Sequence, residues 1–114
     1  MRPLKLRRNN RPEDKIVAKI VKYLRMKKWV TYNMHGNIYQ SGIPDLYATH
    51  KFYGGRWIEV KNPGAYRFTT AQLDVFPEMC RNGSGVWVLV AGTDEEYQKL
   101  FKPYNWYLYL KELS

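Results

Sequence analysis

Residues 42–64 have the sequence GIPDLYATHKFYGGRWIEVKNPG, which contains two strand patterns separated by a glycine pair. The first pattern begins near residue 45 and runs to residue 49. The second covers residues 56–61, where apolar and polar side chains alternate. The pair Gly54-Gly55 between them is typical of a turn. We therefore predict an antiparallel hairpin, with the two patterns side by side in a sheet.

Outward from this hairpin, helical and extended patterns alternate. Apolar residues at positions 16, 17, 20, 21 and 24 predict a helix that begins at Pro12. Thr69 and Gln72 predict a capping box that opens a second helix, which ends near residues 82–83 and which Pro77 should bend or shorten. The other predicted elements are strands at residues 29–34, 86–90 and 106–110, a turn near His35, and a short helix at residues 94–101. The order is αβββαβ, then a short helix and a last strand, which is an α/β (α+β) fold with a mixed sheet flanked by helices.

The positive charge of the chain is concentrated at one end. The 114 residues carry 19 Lys and Arg against 10 Asp and Glu, a net charge of +9. Residues 1–28 hold 11 of the basic and two of the acidic residues, so they carry the whole excess. Such a segment predicts binding to nucleic acid, while a solvated face or a membrane-surface contact is the alternative interpretation. We expect a flexible basic arm at residues 1–11 and one domain at residues 12–114.

Simple counts exclude several classes of protein. The longest apolar run, residues 86–91, has six residues, whereas a membrane helix needs about 20. No apolar stretch follows the basic N-terminus, so a secretory signal is not predicted. Cys80 is the only cysteine, which leaves no internal disulfide and no thiolate zinc cluster. We expect a cytoplasmic protein that binds no membrane, with Cys80 as a small buried residue of its helix.

Three residues of the hairpin carry the candidate chemistry: Asp45, Glu59 and Lys61. Since side chains alternate along a strand, Glu59 and Lys61 share one face, and the hairpin brings Asp45 near Glu59. Two carboxylates about 4 Å apart repel each other by about 4 kcal/mol at an effective dielectric constant of 20. A bound Mg²⁺ or Mn²⁺ ion removes that repulsion, with a backbone carbonyl and water as further ligands. The alternative is a structural cluster of ion pairs, which stabilises proteins poorly.

A metal ion held by these carboxylates suits phosphodiester hydrolysis, because it polarises the phosphoryl group and lowers the pKa of a bound water. Lys61 can orient that water or stabilise the developing negative charge. We favour these roles over that of a base, because a nearby carboxylate opposes loss of the lysine proton. Glu13 shares the buried face of the first helix, so it either takes part in the site or simply favours the helix N-terminus.

The arrangement resembles the PD-(D/E)xK nuclease superfamily, and in particular its VRR-Nuc family. The matching residues, over about residues 12–91, are GIPDL at 42–46, WIEVKNPG at 57–64, Gln72 on the following helix and Glu13 on the first one. The resemblance implies that Glu13 binds a metal ion directly or through water. It also implies that Gln72 holds the lysine or a phosphate; the alternative for Gln72 is the capping box alone, and the two roles can coexist.

The resemblance also implies a function. Asp45, Glu59 and the Val60 carbonyl are the expected metal ligands, and Lys61 is the expected catalytic lysine. The chain resembles small stand-alone, phage-type members that cut branched DNA such as Holliday junctions as homodimers. We therefore expect a Mg²⁺- or Mn²⁺-dependent DNA endonuclease, in the host cytoplasm if it is encoded by a phage. The alternatives are a non-catalytic nucleic-acid-binding module that retains the fold, and a protein adaptor, which leaves the basic segment unexplained.

Further contacts with DNA are expected outside these residues. The candidates are Arg7, Arg8, Arg11 and Lys15 in the basic segment, and Tyr66 and Arg67 in the loop after Lys61; the alternative for Tyr66 and Arg67 is that they are simply exposed loop residues. The aromatic residues at 104–109 are interpreted first as core and dimer interface, with stacking on DNA as the weaker alternative. His35 and His50 have no partner at a recognisable spacing, and we expect neither to be catalytic.

Overall fold

The computed structural model describes residues 12–34, 41–64 and 67–113, so the predicted arm at residues 1–11 and the predicted turn near His35 lie outside them. The helices are α1 (Pro12–Met26), α2 (Thr70–Arg81) and α3 (Asp94–Gln98), and the strands are β1 (Val30–Asn33), β2 (Leu46–His50), β3 (Gly54–Val60) and β4 (Val86–Leu89). Two 3₁₀ helices follow, at Lys99–Phe101 and Trp106–Leu113. The order αβββαβ is thus confirmed. No helix in this described part of the chain is long and apolar enough to cross a membrane.

The four strands form one mixed sheet in the order β1-β2-β3-β4. β1 and β3 run antiparallel to β2, whereas β4 runs parallel to β3 after the crossover through α2. Leu46 pairs with Ile58 and His50 pairs with Gly54, so the predicted hairpin is confirmed. Its turn, however, lies at residues 51–53. Gly54 is already the first residue of β3, and its φ of +82° favours glycine at that position.

One face of the sheet packs against α1. Ile20 and Leu24, on the apolar stripe of α1, are each 1% exposed. The buried residues that pack in the same cluster are Trp29, Leu46, Ala48, Ile58, Val60, Leu89, Tyr97 and Leu100. Burial of this apolar surface holds α1 and the residues around α3 on the sheet.

The second face of the sheet is covered by α2. Thr69 caps this helix, because its hydroxyl accepts the N–H of Gln72 while the Gln72 side chain accepts the N–H of Thr69, as predicted. Phe76 of α2 is fully buried with Phe68, Val86, Val88 and Trp106. Pro77 does not shorten the helix, which continues to Arg81. Packing of the neighbouring Phe76 offsets the hydrogen bond that proline cannot donate.

The C-terminal segment corrects another prediction, because Trp106–Leu113 is a 3₁₀ helix and not a strand. Asn105 already occupies the outer edge of β4. Its Oδ1 accepts the N–H of Val88 at 2.6 Å, and its Nδ2 donates to the Val88 carbonyl at 3.3 Å. A fifth strand needs these same backbone groups. Trp106 turns into the core instead, where its Nε1 donates to Sγ of the half-buried Cys80.

Candidate active site

The start of β2 and the end of β3 bring together Asp45, Glu59, Lys61 and Gln72, which we call the polar cluster. Asp45 directly precedes β2, and the antiparallel register sets it beside Glu59, as predicted. Asp45 Oδ2 accepts the N–H of Val60 at 2.9 Å, and the N–H of Asp45 donates to Glu59 Oε1 at 3.3 Å. These two hydrogen bonds tie both carboxylates to the open end of the hairpin.

Lys61 is 4% exposed, and its ammonium group meets three acceptors. Its Nζ lies 3.1 Å from Glu59 Oε2, and it donates to Gln72 Oε1 at 3.1 Å and to the carbonyl of Arg67 at 2.7 Å. An ammonium group has three N–H donors, so these three acceptors satisfy all of them. Nζ also lies 4.7 Å from the centroid of the Phe68 ring, within cation–π distance. The lysine charge is therefore held in one position.

Gln72 connects the polar cluster to the first turn of α2. Its Nε2 donates to Glu59 Oε2 at 2.8 Å. Its Oε1 accepts from Lys61 Nζ and also from the N–H of Thr69 at 3.0 Å. The capping box and the contacts with the cluster thus coexist in one side chain. Because the amide donates on one side and accepts on the other, it holds the carboxylate and the lysine in a fixed arrangement.

Glu59 is 2% exposed, and its environment disfavours a negative charge. Burial, and after it the charge of Asp45, raises the pKa of the Glu59 carboxyl to about 8. The charge and hydrogen bond of Lys61 and the hydrogen bond from Gln72 act in the opposite direction. Burial and the charge of Asp45 together thus outweigh the effects of Lys61 and Gln72 on the pKa.

The donor set of the polar cluster fits a hard divalent cation. Mg²⁺ is commonly held by one or two carboxylates with several waters, and Asp45 and Glu59 are two adjacent carboxylates. A cation beside them relieves the repulsion that contributes to the raised pKa of Glu59. Within residues 12–34, 41–64 and 67–113, no group of three or more His, Cys, Asp or Glu side chains is placed to hold a metal ion. Glu13 is thus not a third carboxylate of the cluster there, and its contribution through water stays a prediction.

The other predicted site residues are more dispersed. Glu13 is half-buried in the first turn of α1, and Lys15 is exposed on the same helix. Arg67 is exposed, with its carbonyl on the polar cluster. Arg7, Arg8, Arg11 and Tyr66 lie outside the described residues. His50 lies at the opposite end of the hairpin from the cluster, where its Nδ1 accepts the N–H of Phe52.

Two groups that contact Lys61 were not predicted, namely the Phe68 ring and the Arg67 carbonyl. A backbone carbonyl has no sequence signal, since every residue carries one. An aromatic residue just before a helix cap predicts core packing, and Phe68 does pack in the core, with its ring centroid 6.0 Å from that of Phe76. Its second contact, with the lysine, follows only from the fold.

No family model, no curated protein and no solved structure matches this chain. The function is therefore argued from the geometry of the polar cluster, the distribution of charge and the sequence motif.

Proposed function

We propose that this protein is a metal-dependent DNA endonuclease with a PD-(D/E)xK core. The observation that carries the proposal is the contact among Glu59, Lys61 and Gln72 beside Asp45, at the shared end of β2 and β3. Burying a carboxylate and an ammonium group costs free energy that their attraction repays poorly. A buried carboxyl group and a buried ammonium group next to a second carboxylate are therefore better explained by chemistry than by stability.

In this proposal Asp45 and Glu59 hold Mg²⁺ or Mn²⁺, with the Val60 carbonyl as a further ligand. The bound ion supplies Lewis acidity toward the phosphodiester and makes a coordinated water more acidic. Lys61 supplies a fixed positive charge where negative charge develops on the phosphate. Its three acceptors hold the protons of the ammonium group, which supports positioning and charge stabilisation over a role as a base. Gln72 keeps Lys61 and Glu59 in their relative positions.

DNA is the proposed substrate because the excess of positive charge lies in residues 1–28. Lys15, in that segment, is exposed on α1 and free to face a phosphate backbone. Binding through such contacts weakens steeply as salt is added. Branched DNA such as a Holliday junction, a homodimer and a phage origin are proposed on the motif resemblance.

The test is cleavage of a labelled four-way junction, a linear duplex and a single strand, each with Mg²⁺, Mn²⁺ or EDTA. We expect metal-dependent cutting that falls at least about 100-fold in Asp45→Asn, because this change removes a charged ligand at nearly constant volume. Asp74→Asn is the matched control, since Asp74 is exposed on α2, and it should cut like the wild type. Lys61→Met should bind DNA and metal but lose most of the cutting.

Two results contradict the proposal in different ways. Undiminished cutting by Asp45→Asn would place the active site elsewhere. Salt-sensitive DNA binding without cutting under every metal condition would favour the non-catalytic module. Calorimetric titration with Mn²⁺ tests the metal site without any cleavage, and sedimentation with and without the junction tests the homodimer.

A further inference from the structure

The turn end of the β2–β3 hairpin carries aromatic rings that are in contact with solvent. Phe52, Tyr53 and Phe101 are 77%, 47% and 40% exposed. We call these three residues, together with His50, the turn-end aromatic surface. Single exposed apolar residues are ordinary on proteins, but a contiguous group of them marks an interaction site.

The rings of this surface form a continuous chain. The ring centroids are 5.8 Å apart for Phe52 and His50, 4.4 Å for His50 and Tyr53, and 4.9 Å for Tyr53 and Phe101. Trp29, which is 3% exposed, stacks with Tyr53 at 6.1 Å and ties the surface to the core. The exposed ring faces are therefore positioned in advance of any ligand, which lowers the ordering cost of binding.

Two cations border these rings: Lys51, and Arg56, whose Nη1 donates to the carbonyl of Tyr53. Lys51 Nζ lies 5.2 Å from the centroid of the Phe52 ring, and Arg56 Cζ lies 6.0 Å from that of Trp29. In the part of the chain that the structure describes, neither of them forms a salt bridge with a carboxylate. The surface therefore combines exposed rings with positive charge that no acidic side chain neutralises.

This surface is separate from the polar cluster. The cluster lies at the start of β2 and the end of β3, whereas the turn-end aromatic surface lies at the other end of the same two strands. β2 has five residues, so at about 3.4 Å per residue roughly 17 Å separates the two regions. The rings are thus not part of the proposed catalytic site.

We propose that the turn-end aromatic surface binds unpaired nucleotides of a nucleic acid strand, with bases stacked on the rings and phosphates beside the cations. Charge complementarity favours a polyanion, since Lys51 and Arg56 have no acidic partner among the described residues. Rings interleaved with cations are the common chemistry of single-strand binding. An anionic membrane is a poorer fit, because interfacial binding calls for the apolar face of an amphipathic helix, whereas Phe52 and Tyr53 lie in a turn between two strands. This inference goes beyond the proposed function, because it requires neither a metal ion nor hydrolysis.

The experiment measures binding of labelled oligothymidylate and of a blunt duplex by fluorescence anisotropy, in EDTA, with the full chain. We expect Phe52→Ala to weaken oligothymidylate binding about 5- to 100-fold and to leave duplex binding nearly unchanged, whereas Phe52→Trp keeps both. Phe52 is mostly in water, so its truncation should not disturb folding. Leu108→Ala is the matched control, since Leu108 is 60% exposed outside this surface. Lys51→Gln should lower the salt dependence by about 0.7 in the slope of log K against log salt.

Equal oligothymidylate binding by the wild type and Phe52→Ala would overturn the proposal. Oligonucleotide binding that stays unchanged while Phe52→Ala loses binding to phosphatidylserine vesicles would also overturn it, in favour of a membrane contact. A shift from dimer to monomer in Phe52→Ala, again with unchanged oligonucleotide binding, would assign the surface to a second copy of the chain. Because the binding assay contains EDTA and measures no cleavage, failure of the nuclease proposal and failure of this one are distinguishable.

Discussion

The two faces of β3 are equally buried and chemically opposite. Ile58 and Val60 are 0% exposed, and Glu59 and Lys61, which alternate with them, are 2% and 4% exposed. The first pair packs in the apolar cluster under α1, whereas the second pair meets the polar first turn of α2. Burial therefore does not distinguish a core position from a site position in this protein. What distinguishes the two positions is the element that packs against the side chain, which is α1 in one case and the first turn of α2 in the other.

The difference also divides stability from chemistry. Each apolar side chain buried under α1 contributes roughly 1.5–3 kcal/mol relative to leaving it exposed. Glu59 and Lys61 on the other face lose hydration on burial, and this burial raises the pKa of the Glu59 carboxyl. We infer that Ile58 and Val60 stabilise the sheet and that Glu59 and Lys61 serve the proposed function.

The largest effect on folding is expected from the apolar face. Ile58→Ala should lower the free energy of unfolding by about 2–5 kcal/mol, because it leaves a cavity in a fully buried cluster. Urea unfolding followed by tryptophan fluorescence measures this loss. Glu59→Gln, one residue further along, is the paired variant; because it keeps the side-chain volume and leaves no cavity, its loss should be smaller than that of Ile58→Ala. Equal losses in the two variants would break the contrast between the faces.

An intermediate effect is expected from pH. The pKa of Glu59 is higher in the folded protein than in the unfolded chain, so the folded state holds a proton that the unfolded state releases. This contribution to stability is fully present below the unfolded pKa and is lost as the pH rises through the folded pKa of about 8. In EDTA, the wild type should lose at least about 1 kcal/mol relative to Glu59→Gln between pH 5 and pH 8. Denaturant titrations at several pH values measure this difference in the free energy of unfolding. If the wild type instead becomes more stable relative to Glu59→Gln from pH 5 to pH 8, the raised pKa of Glu59 is contradicted.

The smallest effect is expected where α2 joins the polar cluster. Thr69→Ala removes the hydroxyl that accepts the N–H of Gln72 at 3.1 Å, and it should cost about 1 kcal/mol. Thermal unfolding should then shift down by a few degrees. Thr70→Ala is the control, because Thr70 is the adjacent exposed threonine, and Thr69→Ser should retain the cap. A loss in Thr70→Ala as large as in Thr69→Ala would show that the cap is not the cause.

The sequence pattern correctly predicted the helices that have a long apolar stripe or a capping box. The stripe of α1 and the capping box of Thr69 and Gln72 are local signals, and both elements form where they were expected. The alternation in β3 also placed Glu59 and Lys61 on one face correctly. These features depend on residues only a few positions apart, which is the range over which a sequence pattern is informative.

The wrong predictions depended on contacts between distant residues. Residues 106–110 are aromatic and β-prone, yet Asn105 had already taken the edge of β4 that a further strand needs. The glycine pair was predicted as the turn, although Gly54 supplies a positive φ at the first residue of β3. In both cases the local preference was overridden by what the neighbouring strand required.

The sequence by itself determined which residues are chemically able to act, namely Asp45, Glu59, Lys61 and Gln72, and in which order they occur. Only the tertiary structure decided that one amide bridges the carboxylate and the lysine, and that the Arg67 carbonyl completes the surroundings of the ammonium group. The physical reason is that residue type sets charge and hydrogen-bonding capacity, which are local properties. Burial, the raised pKa of Glu59 and the direction of each hydrogen bond arise only when β2, β3 and α2 meet.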